Sequence, residues 1–477
     1  MTNEIESTNS ADILSDEILR QANDSDTPTE LPATISKSHD ETLRGEVALN
    51  PIAPREMLQE LKNDNSNDVL SCLTKRKFNV REQLIICIAG KNDIAVNGLT
   101  LLAAKYGKES ICFIPNSTDD GLDGWQPSLK KAGRELGIRE VTLEDIYEIV
   151  NLIYLSLEST EIIKTENFST NKLFNIHFSL LPKYRGMFTS AVPLLYGENY
   201  SGVTLHKIDN GIDTGEIIDQ IKFDIDADDT ARDLYFKYLE NAFVLLQRNI
   251  DNLINDCYVS KPQLPNNASY FSRKSIDYKN LFVNFFKTAY EVRNQFRAFT
   301  FREYQMPRFE GKEIFKAEIL DVRSKSKPGT KLFENDEVII VTTIDYDLRL
   351  YKDYYRIFWQ SCELGDISTF NSVTPKIVNF DLTNSKGWNA IVIATYYGHL
   401  EIVKKLVELG ADVNTKSTNG TTLLMYAVSY YQRSKDSDLF KYLLELGSDT
   451  LSADKYGKTL EQYVIESRCE ALLNFLH

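Results

Sequence analysis

Three side chains of different chemistry lie within one stretch of this chain: Asn175 and His177 in Asn175-Ile176-His177, and Asp213 in Gly211-Ile212-Asp213-Thr214-Gly215. An amide, an imidazole and a carboxylate at strand and loop ends of one α/β unit can move an acyl carbon onto an amine without a covalent intermediate or a metal. In such a transfer the amine attacks as the neutral species, the carbonyl oxygen becomes negative in the tetrahedral intermediate, and a proton must leave the nitrogen. His177 can act as general base or stabilise the oxyanion, Asn175 can donate an amide hydrogen to that oxygen, and Asp213 can orient the imidazole or stabilise its charge. The chain has only five histidines (His39, His177, His206, His399 and His477), so few compete for the base. Alone, a histidine in an apolar stretch reads as a satisfied core residue and an aspartate between glycines as a turn; the combination points to chemistry.

The elements that must hold these groups read as an alternating α/β pattern. Leu84 to Gly90 is a short apolar run ending in Gly, the pattern of a strand buried on both faces, and Ile94 to Tyr106 is apolar at helical spacing. Ile111 to Pro115 reads as a second strand, Gln126 to Leu136 and Leu143 to Ile149 as helices, and Leu152 to Leu157 as a further strand. Strand and helix in alternation predict a parallel, doubly wound sheet, in which ligands bind beyond the carboxyl ends of the strands. Gly90-Lys91-Asn92, Ser156-Leu157 and Asn175-Ile176-His177 all fall there. Gly90 alone is no dinucleotide fingerprint, since no Gly-x-Gly-x-x-Gly follows. Gly202 to Ile208 and Ile217 to Ile225 read as paired strands around the Asp213 loop, and Asp229-Thr230 as the cap of a long helix from Ala231 to about Leu253. After Pro262 and Pro265, a helix over Leu281 to Ala298 and short β-like runs, Val338 to Val341 among them, predict a small α+β domain.

Composition narrows the class. The 477 residues exceed one ordinary core, and a net charge of -15 argues against a general binder of nucleic acid or acidic membranes. Six scattered cysteines with no Cys-x-x-Cys indicate neither a disulfide framework nor a zinc site, and a reducing cytoplasm is expected. No signal-like N-terminus and no run of about 18 apolar residues is present. The first 70 residues hold no Phe, Tyr or Trp and are rich in Ser, Thr, Asn, Asp and Glu, so disorder is expected over 1–78, with transient helices near Ile13 to Gln21 and Pro54 to Lys62.

The tail is periodic. Gly387 and Gly420 are 33 residues apart, and Gly420 and Gly457 are 37 apart, which places a four-residue insertion around Gln432 to Asp438. With Asn384 to Ala390, Gly398-His399-Leu400-Glu401-Ile402-Val403 and Leu409 to Asn414, the unit resembles the ankyrin repeat, an all-α architecture. The domain order expected is 1–78 polar extension, 79–258 catalytic domain, 259–350 small second domain and 351–477 ankyrin repeats of about three to four units.

Asn-x-His, then Ser179-Leu180-Leu181-Pro182 and Arg185-Gly186, with Asp209 to Gly215 downstream, resembles the formyltransferase superfamily that uses 10-formyltetrahydrofolate, over roughly residues 84 to 320. The resemblance implies a Rossmann-like doubly wound sheet, catalysis by Asn175, His177 and Asp213, no metal, and a folate against Ser156, Leu157, Leu180, Leu181 and Ile212. Phe178, Lys183 to Ser190 and Asp123 to Lys130 look like the nucleotide-sugar enzymes of that superfamily, above all those formylating a dTDP-linked 3-amino-3,6-dideoxyhexose for surface polysaccharide (O-antigen) synthesis, which are commonly homodimers.

A nucleotide diphosphate needs cations or backbone amides and an aromatic face. Lys91, Lys130 and Lys183 are candidate cations; Trp125, Tyr184, Phe299 and Tyr304 are candidate faces; and Lys91, Asn92, Trp125, Gln126, Lys183 and Tyr184 form the expected substrate set. Methionyl-tRNA and a 4-amino sugar nucleotide remain alternative acceptors, and residues 261 to 340 carry 15 Lys and Arg against 10 Asp and Glu, although interleaved rather than in a basic stripe. A non-enzymatic interaction protein is the reading furthest from three intact catalytic residue types. The ankyrin repeats would take a protein or, through Trp388, a second nucleotide sugar.

Overall fold

Gly90 ends the first apolar run because the next strand passes too close for any side chain: a Cβ there would lie 1.8 Å from the Leu157 carbonyl oxygen. In the computed structural model, which describes residues 84–476 except 418 and 456, together with 61, 64–66 and 69, that run is strand β1 (Ile85–Gly90). The two helices expected before residue 78 lie almost wholly outside the described residues. After β1 come α1 (Asn92–Tyr106), β2 (Ile111–Pro115), α2 (Leu129–Glu135), β3 (Arg139–Glu140), α3 (Leu143–Ile146), β4 (Leu152–Leu157) and β5 (Leu173–His177). The chain continues through β6 (Arg185–Gly186), α4 (Val192–Leu195), β7 (Tyr200–Lys207), β8 (Ile217–Asp224) and α5 (Ala231–Ile254).

The main sheet has seven strands in the order β3-β2-β1-β4-β5-β7-β8. β1 to β5 run parallel, while β7 pairs antiparallel with β5 and β8 antiparallel with β7. The chain winds outward from β1 to β3 and returns at β4, so the switch point lies between β1 and β4, where Gly90 pairs with Leu157. Helix α5 starts at a capping box in which Thr230 and Asp233 satisfy each other's backbone amides. Its apolar stripe, including Leu234, Tyr238, Leu245, Leu246 and Leu253, is buried in the catalytic core.

The next segment does not leave the catalytic sheet at once. Lys261 exchanges two backbone hydrogen bonds with Ile217, each 2.8 Å, and β9 (Tyr270–Phe271) pairs with β6. A second sheet follows, built with α6 (Ala289–Phe299) from β10 (Arg308–Phe309), β11 (Lys312–Ile319), β12 (Lys331–Glu334), β13 (Val338–Val341) and β14 (Leu348–Lys352). Its order is β10-β11-β14-β13-β12, and its core is continuous with that of the catalytic sheet. The helix expected from Leu281 begins instead at Ala289. Thr288 and Glu291 form a capping box that starts it there, and the Gln295 side chain holds the extended backbone of Asn284 at 2.8 Å.

The remaining residues form α7 (Tyr355–Leu364), α8 (Ile367–Val373), α9 (Ala390–Tyr397), α10 (Leu400–Glu408), α11 (Leu423–Ser434), α12 (Asp438–Glu445) and α13 (Leu460–Glu466) around a separate core. Asn389, Thr422 and Thr459 hold the same N-cap position in successive units, so the departure from Thr-Pro-Leu-His keeps the capping chemistry. The insertion lengthens α11 and ends it at Lys435 in the left-handed region. The first finger of this stack touches the catalytic unit, where the Trp125 amide donates to the Ser385 carbonyl at 3.0 Å. Among the described residues no helix is long and apolar enough to cross a membrane.

Candidate active site

Asn175 and His177 lie at the C-terminal end of β5, and Asp213 reaches them from the loop joining β7 to β8. The loop is held in place from outside the sheet: Gln263 Nε2 donates to the carbonyls of Asp213 (2.8 Å) and Gly215 (2.7 Å). Gln263 Oε1 in turn accepts from Arg185 at 2.6 Å, and the Gly186 amide donates to Asp213 Oδ2 at 2.8 Å. Arg185-Gly186 therefore serves the site through geometry.

His177 is 8% exposed, with Nε2 2.8 Å from the Tyr184 carbonyl and Nδ1 3.5 Å from Asp213 Oδ2. A neutral imidazole carries one N–H, so only the doubly protonated ring satisfies both acceptors. Burial opposes that charge more strongly than Asp213 and the Tyr184 carbonyl favour it, so the pKa is held below its ordinary 6.5. The ring is thus a neutral base that gains a partner when it takes a proton. Burial pushes the Asp213 carboxyl up, but the neighbouring His177 and His206 rings and the Gly186 amide more than offset this and hold it well below the ordinary carboxylate range.

Asn175 Nδ2 donates to Asp213 Oδ1 at 3.3 Å and lies 3.0 Å from His206 Nε2. Both amide hydrogens are therefore engaged within the protein, and donation to an oxyanion would require one of these bonds to part.

The residues expected to line the folate divide. Ser156 is in register with Asn175 on the adjacent strand and Ile212 is exposed at the rim, but Leu157 is 1% exposed with its side chain in the core, and its carbonyl accepts from Lys91 N–H. Leu180 is half-buried against Gly202. Leu181 is buried, its amide donating to Thr204 Oγ1 (3.1 Å) and its carbonyl accepting from Gln220 (3.1 Å). Leu157 and Leu181 thus build the floor.

The expected substrate residues divide in the same way. Lys183 Nζ pairs with Glu198 at 3.0 Å, and the Tyr184 hydroxyl donates to the same carboxylate at 2.6 Å while its ring stacks on Phe271. Tyr184 serves the site through its carbonyl, because its aromatic face is covered. Lys130 pairs with Glu140 at 3.6 Å, whereas Lys91, at the start of α1, makes no ion-pair contact within 4 Å among the described residues, although its charge acts on Glu158. Trp125 is enclosed by Tyr235, Phe236, Phe301 and Tyr304, with ring centroids 5.5 to 6.1 Å away. Phe299 is buried in the core. Gln126 accepts the Asp93 amide at 3.0 Å, and its Nε2 is buried without a partner among the described residues.

Glu158, directly after Ser156-Leu157, is the residue that sequence reading passed over. Its Oε2 accepts from the Tyr235 hydroxyl (2.8 Å) and Asn92 Nδ2 (3.3 Å). Burial raises its pKa to about 7 against the pull of Lys91, Tyr235 and Asn92. Asn92, Glu158, Tyr184, Phe188 and Asp213 all have left-handed φ between 55° and 64° without being glycine, and such strain gathers at functional sites. A carboxylate closing a strand whose partner strand ends in His was the available signal. Among the described residues, no cluster of His, Cys, Asp and Glu is placed to hold a metal.

Known proteins resemble this chain in two regions. The formyl transferase family model matches residues 148–250, and a model of three ankyrin repeats matches residues 358–476. The solved structure of WlaRD, a sugar 3N-formyltransferase with dTDP and 5-N-formyl-THF, is 47% identical and is covered over 98% of its length by 57% of this chain, at a TM-score of 0.53. An N-formyltransferase from Helicobacter canadensis, in complex with folinic acid and dTDP-3-aminofucose, is 44% identical, with 57% of this chain covering 100% of it, also at 0.53. Curated relatives include the methionyl-tRNA formyltransferases of Fervidobacterium nodosum, 38% identical over 127 residues (27% of this chain), and Clostridium tetani, 29% over 206 residues (43% of this chain). The chain spans only 39% and 65% of the length of those two.

Proposed function

The chain belongs to the formyltransferase family, in its sugar N-formyltransferase branch with ankyrin repeats appended, and we propose that it formylates the amino group of a dTDP-linked 3-amino-3,6-dideoxyhexose, with 10-formyltetrahydrofolate as donor. The observation that carries this reading is the match at 47% identity over almost all of a sugar 3N-formyltransferase. The matches to tRNA enzymes cover only 39% and 65% of the length of those proteins.

In this reading the amine nitrogen attacks the formyl carbon, forming the C–N bond and a tetrahedral intermediate. His177 takes the proton released by the nitrogen, and Asp213 stabilises the imidazolium. Collapse breaks the bond between the formyl carbon and the folate nitrogen, and the same proton passes to that nitrogen, so that proton and electron pair balance. Lys91, at the switch point, is the cation left for the diphosphate. Ser156 and Ile212 border the folate. Glu158, Asn92 and Tyr235 face the hexose.

The same reading assigns catalysis to residues 79–258 with Gln263 as an added brace, and homodimer contacts to the rest of 259–350. A formamido sugar nucleotide is a building block for glycosyl transfer, which fits cytoplasmic O-antigen synthesis. Residues 351–477 would bind a protein or a second nucleotide sugar beside Trp388, where Tyr396 and Tyr426 rings lie 4.8 and 5.3 Å away. The test is a formyl-transfer assay in which dTDP-3-amino and dTDP-4-amino hexoses and charged initiator tRNA are each supplied with the folate donor. Preferred turnover of the 3-amino sugar is expected; preference for tRNA would reverse the assignment, and no turnover at all would remove it.

A further inference from the structure

His206 is buried on β7 at 2% exposure, directly opposite Asn175 on β5. Its Nδ1 lies 2.7 Å from the Lys207 carbonyl. A carbonyl can only accept, so Nδ1 carries the hydrogen of the neutral ring and Nε2 is left as a bare lone pair. That lone pair lies 3.0 Å from the Asn175 side-chain amide, and it can be met only by the NH2 group. The second Asn175 N–H goes to Asp213 Oδ1 at 3.3 Å, an acceptor that would repel the amide oxygen. Two independent acceptors therefore demand the same orientation of one amide. No described residue donates to Asn175 Oδ1, and Asn175 is only half-buried.

We infer that His206 is a positioning residue that locks Asn175 with its carbonyl oxygen turned to the incoming amine. Asn175 then accepts a hydrogen from the nucleophile and aims the nitrogen lone pair at the formyl carbon. Donation to the oxyanion falls to other groups. The inference rests on amine formylation being the reaction; His206 Nε2 also lies 3.7 Å from Asp213 Oδ1, and the Asn175→Ala background separates action through Asn175 from action through that carboxylate.

The test measures kcat and both KM values for the full chain as wild type, Asn175→Ala, His206→Ala, His206→Gln and the Asn175→Ala/His206→Ala double variant. His206→Ala should lower kcat by about 10- to 100-fold with both KM values little changed, because a loosely held reacting group costs rate rather than binding. Gln can place an acceptor where Nε2 stood, so His206→Gln should recover most of the rate. In the Asn175→Ala background, His206→Ala should cost nothing further. Unchanged kcat in His206→Ala, no recovery in a folded His206→Gln, or an equal further loss in the double variant would each overturn the inference. Absence of turnover by the wild-type chain is a separate outcome, and it would remove formyl transfer itself.

Discussion

Asp213 Oδ2 lies 3.5 Å from His177 Nδ1 and accepts the Gly186 amide at 2.8 Å, so one half-buried carboxylate joins the His177 ring to the loop that follows it. Its other oxygen takes the Asn175 amide at 3.3 Å. The carboxylate can hold an imidazolium, whereas an amide of the same shape cannot do so by charge. Asp213→Asn should lower kcat by about 100-fold or more, roughly 3 kcal/mol of barrier, with a smaller change in KM. Steady-state kinetics with both substrates varied checks it, and a kcat within a few-fold of wild type would separate Asp213 from the chemistry.

With His177 as the base of the proposed reaction, its acidity sets the acid limb of the kcat profile. Burial holds its pKa below the ordinary 6.5 while Asp213 pulls it upward. The fall in kcat that reports loss of the neutral base in the bound complex should therefore lie below pH 6.5. Removing the Asp213 charge takes away the upward pull, so the limb should move to lower pH in Asp213→Asn. A limb that moves to higher pH in that variant would contradict the arrangement.

Glu158 has an effect on stability that depends on pH. Its carboxyl is raised from 4.5 to about 7 by burial, so between those values the folded chain binds more protons here than the unfolded chain. Stability contributed at this site therefore falls as pH rises through that window. Glu158→Gln should be more stable than wild type by about 3 kcal/mol at pH 8, with the gain vanishing near pH 4.5. Thermal or urea unfolding at the two pH values decides it, and activity with the sugar nucleotide should drop if Glu158 faces the hexose.

Gly90→Ala probes the switch point. The added Cβ would lie 1.8 Å from the Leu157 carbonyl oxygen, a backbone atom that also accepts Lys91 N–H. β1 and β4 must part at their ends, displacing Lys91 and Asn92 from Glu158. The catalytic unit should lose about 4 kcal/mol, while the ankyrin stack, with its own core, keeps its unfolding transition. A variant of wild-type stability would show that the close approach is relieved elsewhere.

Much of the scaffold was readable from local pattern because the signals are local. Apolar runs, Thr230 before a helical stripe, and the 33-residue spacing of cap positions each act within a few turns of chain. The helix expected from Leu281 failed for a reason of the same kind, since the Thr288–Glu291 box outcompetes the apolar pattern upstream of it.

The site was legible to a different depth. The residue types at Asn175, His177 and Asp213 follow from the linear motif, and so does their placement at strand and loop ends. The partner of each atom does not. Tyr184 was expected to offer a ring and offers a carbonyl; Lys183 was expected to meet phosphate and meets Glu198; Trp125 is enclosed by rings from α5 and the second domain. Chain order holds no record of which lone pair faces which hydrogen, because those contacts cross between strands and loops far apart in sequence.

The sequence by itself determined the class of chemistry, the α/β order and the repeat tail, since these depend on residue type and short-range period. Only the tertiary structure decided that Glu158 stands beside Asn92, that Gln263 braces the Asp213 loop, and that His206 faces Asn175. Those relationships arise from the pairing of β5 with β7 and from the return of the chain at β4. Strand registry and hydrogen-bond direction are properties of that packing rather than of any one segment.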